Sequence, residues 1–199
     1  MVLRLHDYVL SSECYAVRLM LALLALPLET VAVDLYPGGA TTPYGDIPVL
    51  EDGDTIVTDP GLILTYLART HDASGTWLPP EHAMDIARWL GFAATDLAAL
   101  RDARRTAVLG APGDLGALNR RGRAALRLLD DHLTERGLAG ARWVAGDGPT
   151  IADIAVFPAV MLSHDSGIGH EDYAAINLWQ RRVRKLPGFI GMPGIPDYF

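Results

Sequence analysis

The chain is 199 residues long, half of them apolar, with 24 acidic side chains against 17 lysines and arginines and a net charge of −7. That length allows one large domain or two small ones sharing an interface, and the acidic balance excludes the basic face that a nucleic-acid partner requires. The single cysteine, Cys14, excludes an internal disulfide framework and a thiolate zinc cluster, and it suits a reducing compartment, so a cytoplasmic location is expected.

Residues 2–6 alternate apolar and polar side chains and predict a short strand. Arg4, His6 and Asp7 interrupt the apolar residues too early for a secretory signal. Ser11 and Ser12 offer helix N-caps ahead of an alanine- and leucine-rich run that stops before Pro27. That run contains Arg18 and falls far below the ~20 residues needed to span a bilayer, so no membrane partner is expected. Residues 28–34 predict a second strand. Residues 35–46 carry Pro37, Gly38, Gly39, Pro43 and Gly45 and read as an irregular loop.

Two short runs, 47–51 and 54–58, flank Asp52-Gly53, a strong hairpin signal. Asp59 is placed to cap a helix with Pro60 at its first position, where a missing N–H costs nothing. The order is β-α-β, loop, β-β-α, which resembles a thioredoxin-like domain over residues 1–72. A polar, glycine-bearing segment, 73–80, reads as a linker. Residues 81–199 read as all helical: one long helix from Glu81 to about Leu109, a second over 115–136, a Thr150–Asp153 capping box opening a third, and a last helix over 173–185.

Four segments in order carry a family resemblance: residues 11–19 (Ser-Ser-Glu-Cys-Tyr-Ala-Val-Arg-Leu), 47–50 (Ile-Pro-Val-Leu), 148–155 (Gly-Pro-Thr-Ile-Ala-Asp-Ile-Ala) and 186–189 (Leu-Pro-Gly-Phe). Each is weak alone. Together, at nearly the family's spacing, they resemble the soluble glutathione S-transferases, especially the bacterial theta-, zeta- and nu-like groups. The resemblance implies an N-terminal thioredoxin-like domain, a helical C-terminal domain, a homodimer, glutathione as the thiol and a small electrophile as its partner.

It also implies roles. Ser11, with Ser12 beside it, would stand at the mouth of the first helix and hold a glutathione thiolate, since a hydroxyl and helix N-terminal amides both favour a sulfur anion. Pro48 would be cis, presenting the backbone of Ile47 to the tripeptide. Asp59 and Pro60 occupy the place of the family's Glu-Ser or Gln-Ser pair, whose serine holds the γ-glutamyl carboxylate with its N–H and hydroxyl. Pro60 has neither donor, and the shortened loop before Ile47 omits most of the helix that relatives carry there, with Asp46 standing where a basic residue often helps. Both changes imply weaker glutathione binding, or a small-molecule isomerase, cyclase or binding protein that has lost the thiol. Glu13 would repel a thiolate if its carboxylate pointed inward, or else face solvent and favour the helix dipole. Trp89, Phe92, Asp96, Arg101, Arg104 and Arg105 would share one long helix, either lining the acceptor site or, for the aromatics, packing in the core and, for the arginines, pairing with Asp96 and Asp102. Cys14 is either a buried bystander or a low-pKa nucleophile. His164, Asp165, His170, Glu171 and Asp172 cluster without a recognised metal-ligand spacing, so no metal is expected.

Overall fold

The computed structural model describes residues 2–33, 42–193 and 195. Most of the expected loop before Ile47 therefore lies outside the described residues.

Strands β1 (Leu3–Asp7), β2 (Leu28–Ala32), β3 (Val49–Asp52) and β4 (Thr55–Thr58) form one mixed sheet in the order β2-β1-β3-β4. β1 runs parallel to β2 and antiparallel to β3, and β3 and β4 form the Gly53 hairpin. Period-two alternation sets the faces of β1: Leu3 and Leu5 are buried, while Arg4 is exposed between Glu29 and Glu51, at 3.2 and 3.3 Å.

Helix α1 (Ser12–Leu23) follows β1, and α2 (Pro60–Thr70) follows β4. α1 is buried on nearly every side, as expected of a helix apolar all round. The N-cap of α1 is Ser11, whose hydroxyl accepts from the Cys14 amide at 3.2 Å. Asp59 caps α2, its Oδ1 accepting from the Leu62 amide at 3.0 Å, and Pro60 fills the first turn. Asp59 does this at φ +72°, a left-handed conformation rare outside glycine.

Beyond a 3-10 turn at Pro80–His82 come α3 (Ala83–Thr95), α4 (Ala98–Leu109), α5 (Leu115–Leu138), α6 (Ile151–Met161), a second 3-10 turn at Leu162–Ser166, and α7 (Ala174–Val183). The thioredoxin-like sheet with its helices is thus followed by a helical domain, and the two meet where α1 packs on α6. α6 is buried almost throughout, and Asp153 in its capping box is fully enclosed. That carboxylate accepts from the amides of Val144 and Thr150 and from the Trp179 indole at 2.8–2.9 Å.

The single helix expected from Glu81 to Leu109 is instead two. The Leu97 amide reaches back five residues to Phe92 O at 3.2 Å, and the orphaned carbonyls of Ala93 and Ala94 accept from the Arg101 guanidinium. A side chain from α4 caps the end of α3, so the break needs neither glycine nor proline.

Candidate active site

The loop between β1 and α1, residues 8–11, and the first residue of α1 bring the hydroxyls of Ser11 and Ser12 to the cleft between the domains. Its amide at Ser11 closes onto Tyr8 O at 2.8 Å. Its other carbonyls are held from both sides. Arg18 donates from α1 to Val9 O at 3.1 Å and to Tyr8 O at 3.5 Å, and is neutralised by Asp7. Arg104 donates from α4 to Leu10 O and pairs with Asp165 Oδ2 at 2.7 Å.

A polar cavity of ≈ 350 Å³ opens over this loop. Its N-terminal wall is Ser11, Ser12, Glu13, Ile47, Asp59 and Pro60, and its helical wall carries Arg101, Arg104, Arg105 and Leu109. The Ile47–Pro48 peptide bond is cis. Pro48 itself is buried and does not line the cavity. A second, apolar cavity of ≈ 340 Å³ lies between α1, α2, α3 and α6, lined by small side chains such as Ala16, Ala94 and Ala159 with Leu62 and Leu90. The two share Ser12, Glu13, Asp59, Pro60 and Arg101.

The Ser11 hydroxyl accepts the Cys14 amide, which leaves its own hydrogen free to donate. The Ser12 hydroxyl makes no hydrogen bond among the described residues although the residue is largely buried. Two O–H donors at the start of a helix, in a partly dry cleft, suit an anion.

Several expected placements change. Glu13 turns into the cleft rather than to solvent and sits 3.3 Å from Arg101 Nε. Burial raises its pKa, and the guanidinium of Arg101 works against that rise. Arg101 and Arg104 pair with neither Asp96 nor Asp102, and Arg104 is engaged by Leu10 and Asp165. Arg105 alone of the three makes no hydrogen bond or ion pair among the described residues. Trp89 and Phe92 line neither cavity and stack edge-to-face with each other at 4.8 Å, in the core. Cys14 is fully buried and its thiol is pushed up to about 12 by desolvation, the opposite of a reactive cysteine.

The histidine-acidic segment holds no metal-like arrangement among the described residues. Asp165 serves Arg104, and His170 Nε2 lies 2.8 Å from the Ser163 hydroxyl. The grip of Arg18 and Arg104 on the hydroxyl loop, with Asp165 bracing Arg104, escaped sequence reasoning. One signal was present: Arg18 is the lone charge in an otherwise apolar helical run, which implies a dedicated partner.

Comparison with known proteins agrees with this geometry. Residues 5–75 match the family model "Glutathione S-transferase, N-terminal domain" and residues 86–182 match "Glutathione S-transferase, C-terminal domain". The chain is 32% identical to a maleylacetoacetate isomerase of Rhizobium meliloti over 173 residues, covering 78% of this chain and 79% of that one. A glutathione S-transferase structure from Pseudomonas fluorescens superposes with a TM-score of 0.84 at 28% identity, covering 97% of this chain and 100% of the other. A glutathione transferase homologue from Lodderomyces elongisporus, solved with two GSH per subunit, superposes at 0.85, covering 94% of this chain and 95% of the other. At 19% identity that last likeness shows the fold alone. Among the described residues no helix is long and apolar enough to cross a membrane. Sheet order, cis-proline turn, helical domain and both family models converge: the chain belongs to the glutathione S-transferase family.

Proposed function

We propose that the chain is a glutathione-dependent transferase, in which the Ser11 hydroxyl donates to the glutathione sulfur, with Ser12 beside it. The observation that carries this reading is the lining of one polar cavity by the α1 mouth, the backbone of Ile47 at the cis-proline, and the Asp59–Pro60 cap. A thiolate held there attacks an electrophilic carbon; a sulfur–carbon bond forms, and either a leaving group departs with its electron pair or, in an addition, a proton arrives from solvent. Holding both reactants in one cleft supplies much of the rate gain. The adjacent apolar cavity takes the body of the small electrophile.

The residues present fit the tripeptide unevenly. The hydroxyls and the Ile47 backbone suit its cysteinyl part, and Arg101 offers guanidinium N–H groups at the shared wall. Pro60 offers no donor to the γ-glutamyl carboxylate. The thioredoxin-like unit extends to about residue 72, the linker occupies 73–80, and the helical unit begins at 81. Two copies associate through the α2–α3 face beyond the apolar cavity, where Met84 is an exposed apolar side chain beside the small Ala68, Ala83 and Ala87.

A second reading keeps the fold and drops the thiol, giving a small-molecule isomerase, a cyclase or a binding protein. Pro60 favours it. The experiment that separates the two is glutathione titration by thermal shift, followed by a thiol-conjugation assay on wild type and Ser11→Ala. The transferase reading requires a glutathione-dependent rise in Tm and turnover that falls at least tenfold, as roughly expected for loss of one donor to a developing anion. Turnover of an electrophile that is indifferent to glutathione establishes the second reading.

A further inference from the structure

The hydroxyl loop is held by two guanidiniums from opposite sides, and they belong to different domains. Arg18 is local: it lies on α1, pairs with Asp7 of β1, and takes Tyr8 O and Val9 O. Arg104 is foreign: it comes from α4, ninety-four positions downstream, and takes Leu10 O, the carbonyl immediately before the Ser11 cap. Its side chain is almost fully buried, and Asp165, from the 3-10 turn after α6, braces its Nε at 2.7 Å.

We infer that Arg104, braced by Asp165, is a positioning residue: through the Leu10 carbonyl it sets where the Ser11 hydroxyl stands, so that the helical domain determines how well the cleft holds a sulfur anion. This deepens the transferase reading and rests on it. The physical case has three parts. A charge-assisted hydrogen bond inside a largely dry wall is short and directional, so it fixes the carbonyl rather than merely touching it. Tyr8, Val9 and Leu10 all have their carbonyls engaged, so no other carbonyl of the loop compensates when Arg104 lets go. The Arg104–Asp165 pair, neutral overall, turns its positive end toward the α1 mouth. An anion there gains from both the pair's orientation and the hydroxyl it places.

Arg104 differs in this respect from its neighbours. Arg101 caps α3 and faces Glu13, so it holds the break between two helices of one domain. The Arg105 side chain makes no hydrogen bond or ion pair among the described residues and acts on Glu13 only at a distance.

The test is a double-mutant cycle between Ser11→Ala and Arg104→Met, with Asp165→Asn as the brace variant and Arg104→Lys as the rescue. In wild type, kcat/KM rises with pH as the bound thiol ionises. Arg104→Met shifts that rise upward by about one pH unit, as loss of a placed donor does. Near pH 6.5 it lowers kcat roughly tenfold, with the KM for glutathione changed much less. Arg104→Lys recovers most of the shift, and Asp165→Asn falls between. In the Ser11→Ala background Arg104→Met adds little, because its effect runs through the hydroxyl. Hydrogen exchange gives a readout that needs no turnover: amides of residues 8–14 exchange at least tenfold faster in Arg104→Met while those of α5 and α7 stay protected.

Additive effects of the two substitutions overturn the inference, as does a pH profile left in place while Tm or glutathione KM alone moves. Unchanged exchange in residues 8–14 overturns it as well. If wild type turns over no electrophile with glutathione, the transferase reading fails on its own. The exchange result then decides whether the loop is held from α4.

Discussion

The Glu13 carboxylate lies 3.3 Å from Arg101 Nε, and the same guanidinium donates to the carbonyls of Ala93 and Ala94. One side chain therefore closes the gap between α3 and α4 and also sets the charge balance at the wall shared by both cavities. Arg101→Ala removes two caps and strands a carboxylate, and is expected to lower stability by about 2–3 kcal/mol. Chemical denaturation checks this.

The sign of the Glu13 effect on pH stability follows from its raised pKa. The folded protein keeps the Glu13 proton to higher pH than the unfolded chain does. Stability from this group therefore declines as pH rises from the ordinary glutamate value through the folded one. Glu13→Gln removes that decline. Its Tm is expected to exceed wild type at pH 7.5 and to converge with it near pH 4, which a melting series across that range measures.

Pro60→Ser restores the two donors missing at the first turn of α2. Loss of the proline's preset φ costs a few tenths of a kcal/mol of stability. Glutathione affinity is expected to tighten roughly tenfold, the value of one well-placed donor to a carboxylate. Calorimetry of wild type and variant reads the difference directly, and equal affinities refute the assignment of this position to the γ-glutamyl end.

His170 supplies an acid-sensitive element remote from the cleft. Its Nε2 lies 2.8 Å from the Ser163 hydroxyl, which itself donates to Ile168 O, and its Nδ1 is buried without a hydrogen-bond partner among the described residues. Desolvation, with His164 nearby, lowers its pKa to about 4. Because the unfolded histidine protonates first, stability is lost as pH falls from about 6.5 toward 4, and the loss approaches about 3 kcal/mol. His170→Gln is expected to flatten this part of the stability–pH curve at some cost at pH 7.5.

Gly188 holds the Leu-Pro-Gly-Phe turn at φ +87°, and a Cβ there would lie 2.9 Å from Ala22 O at the end of α1. Gly188→Ala is expected to cost roughly 1–3 kcal/mol through backbone strain and the clash. Thermal melts of the variant test this.

What the sequence made legible was what local chemistry encodes. Asp59-Pro60 is a complete cap written in two residues, Asp52-Gly53 a complete turn, and Thr150–Asp153 a complete box. The break at residues 96–97 was illegible because its cause is a tertiary contact from Arg101, with no breaker residue at the spot. Ser11, Ser12, Glu13, Ile47, Asp59, Pro60, Arg101 and Arg104 do share one cavity wall, whereas Pro48, Trp89 and Phe92 stand outside it, and the contacts each residue makes were not legible. Arg104 reads as one more arginine on a helix face until Asp165, sixty-one positions away, is seen to hold it. Glu13 reads as a solvent-facing helix charge until α4 arrives beside it.

The burial of Cys14 has a practical consequence. With its sulfur enclosed and held as the neutral thiol, it is closed to maleimides and disulfide exchange for as long as α1 stays docked. Any mixed disulfide found on this chain marks molecules that have opened, and the rate at which a thiol reagent labels the protein becomes a clock for that opening.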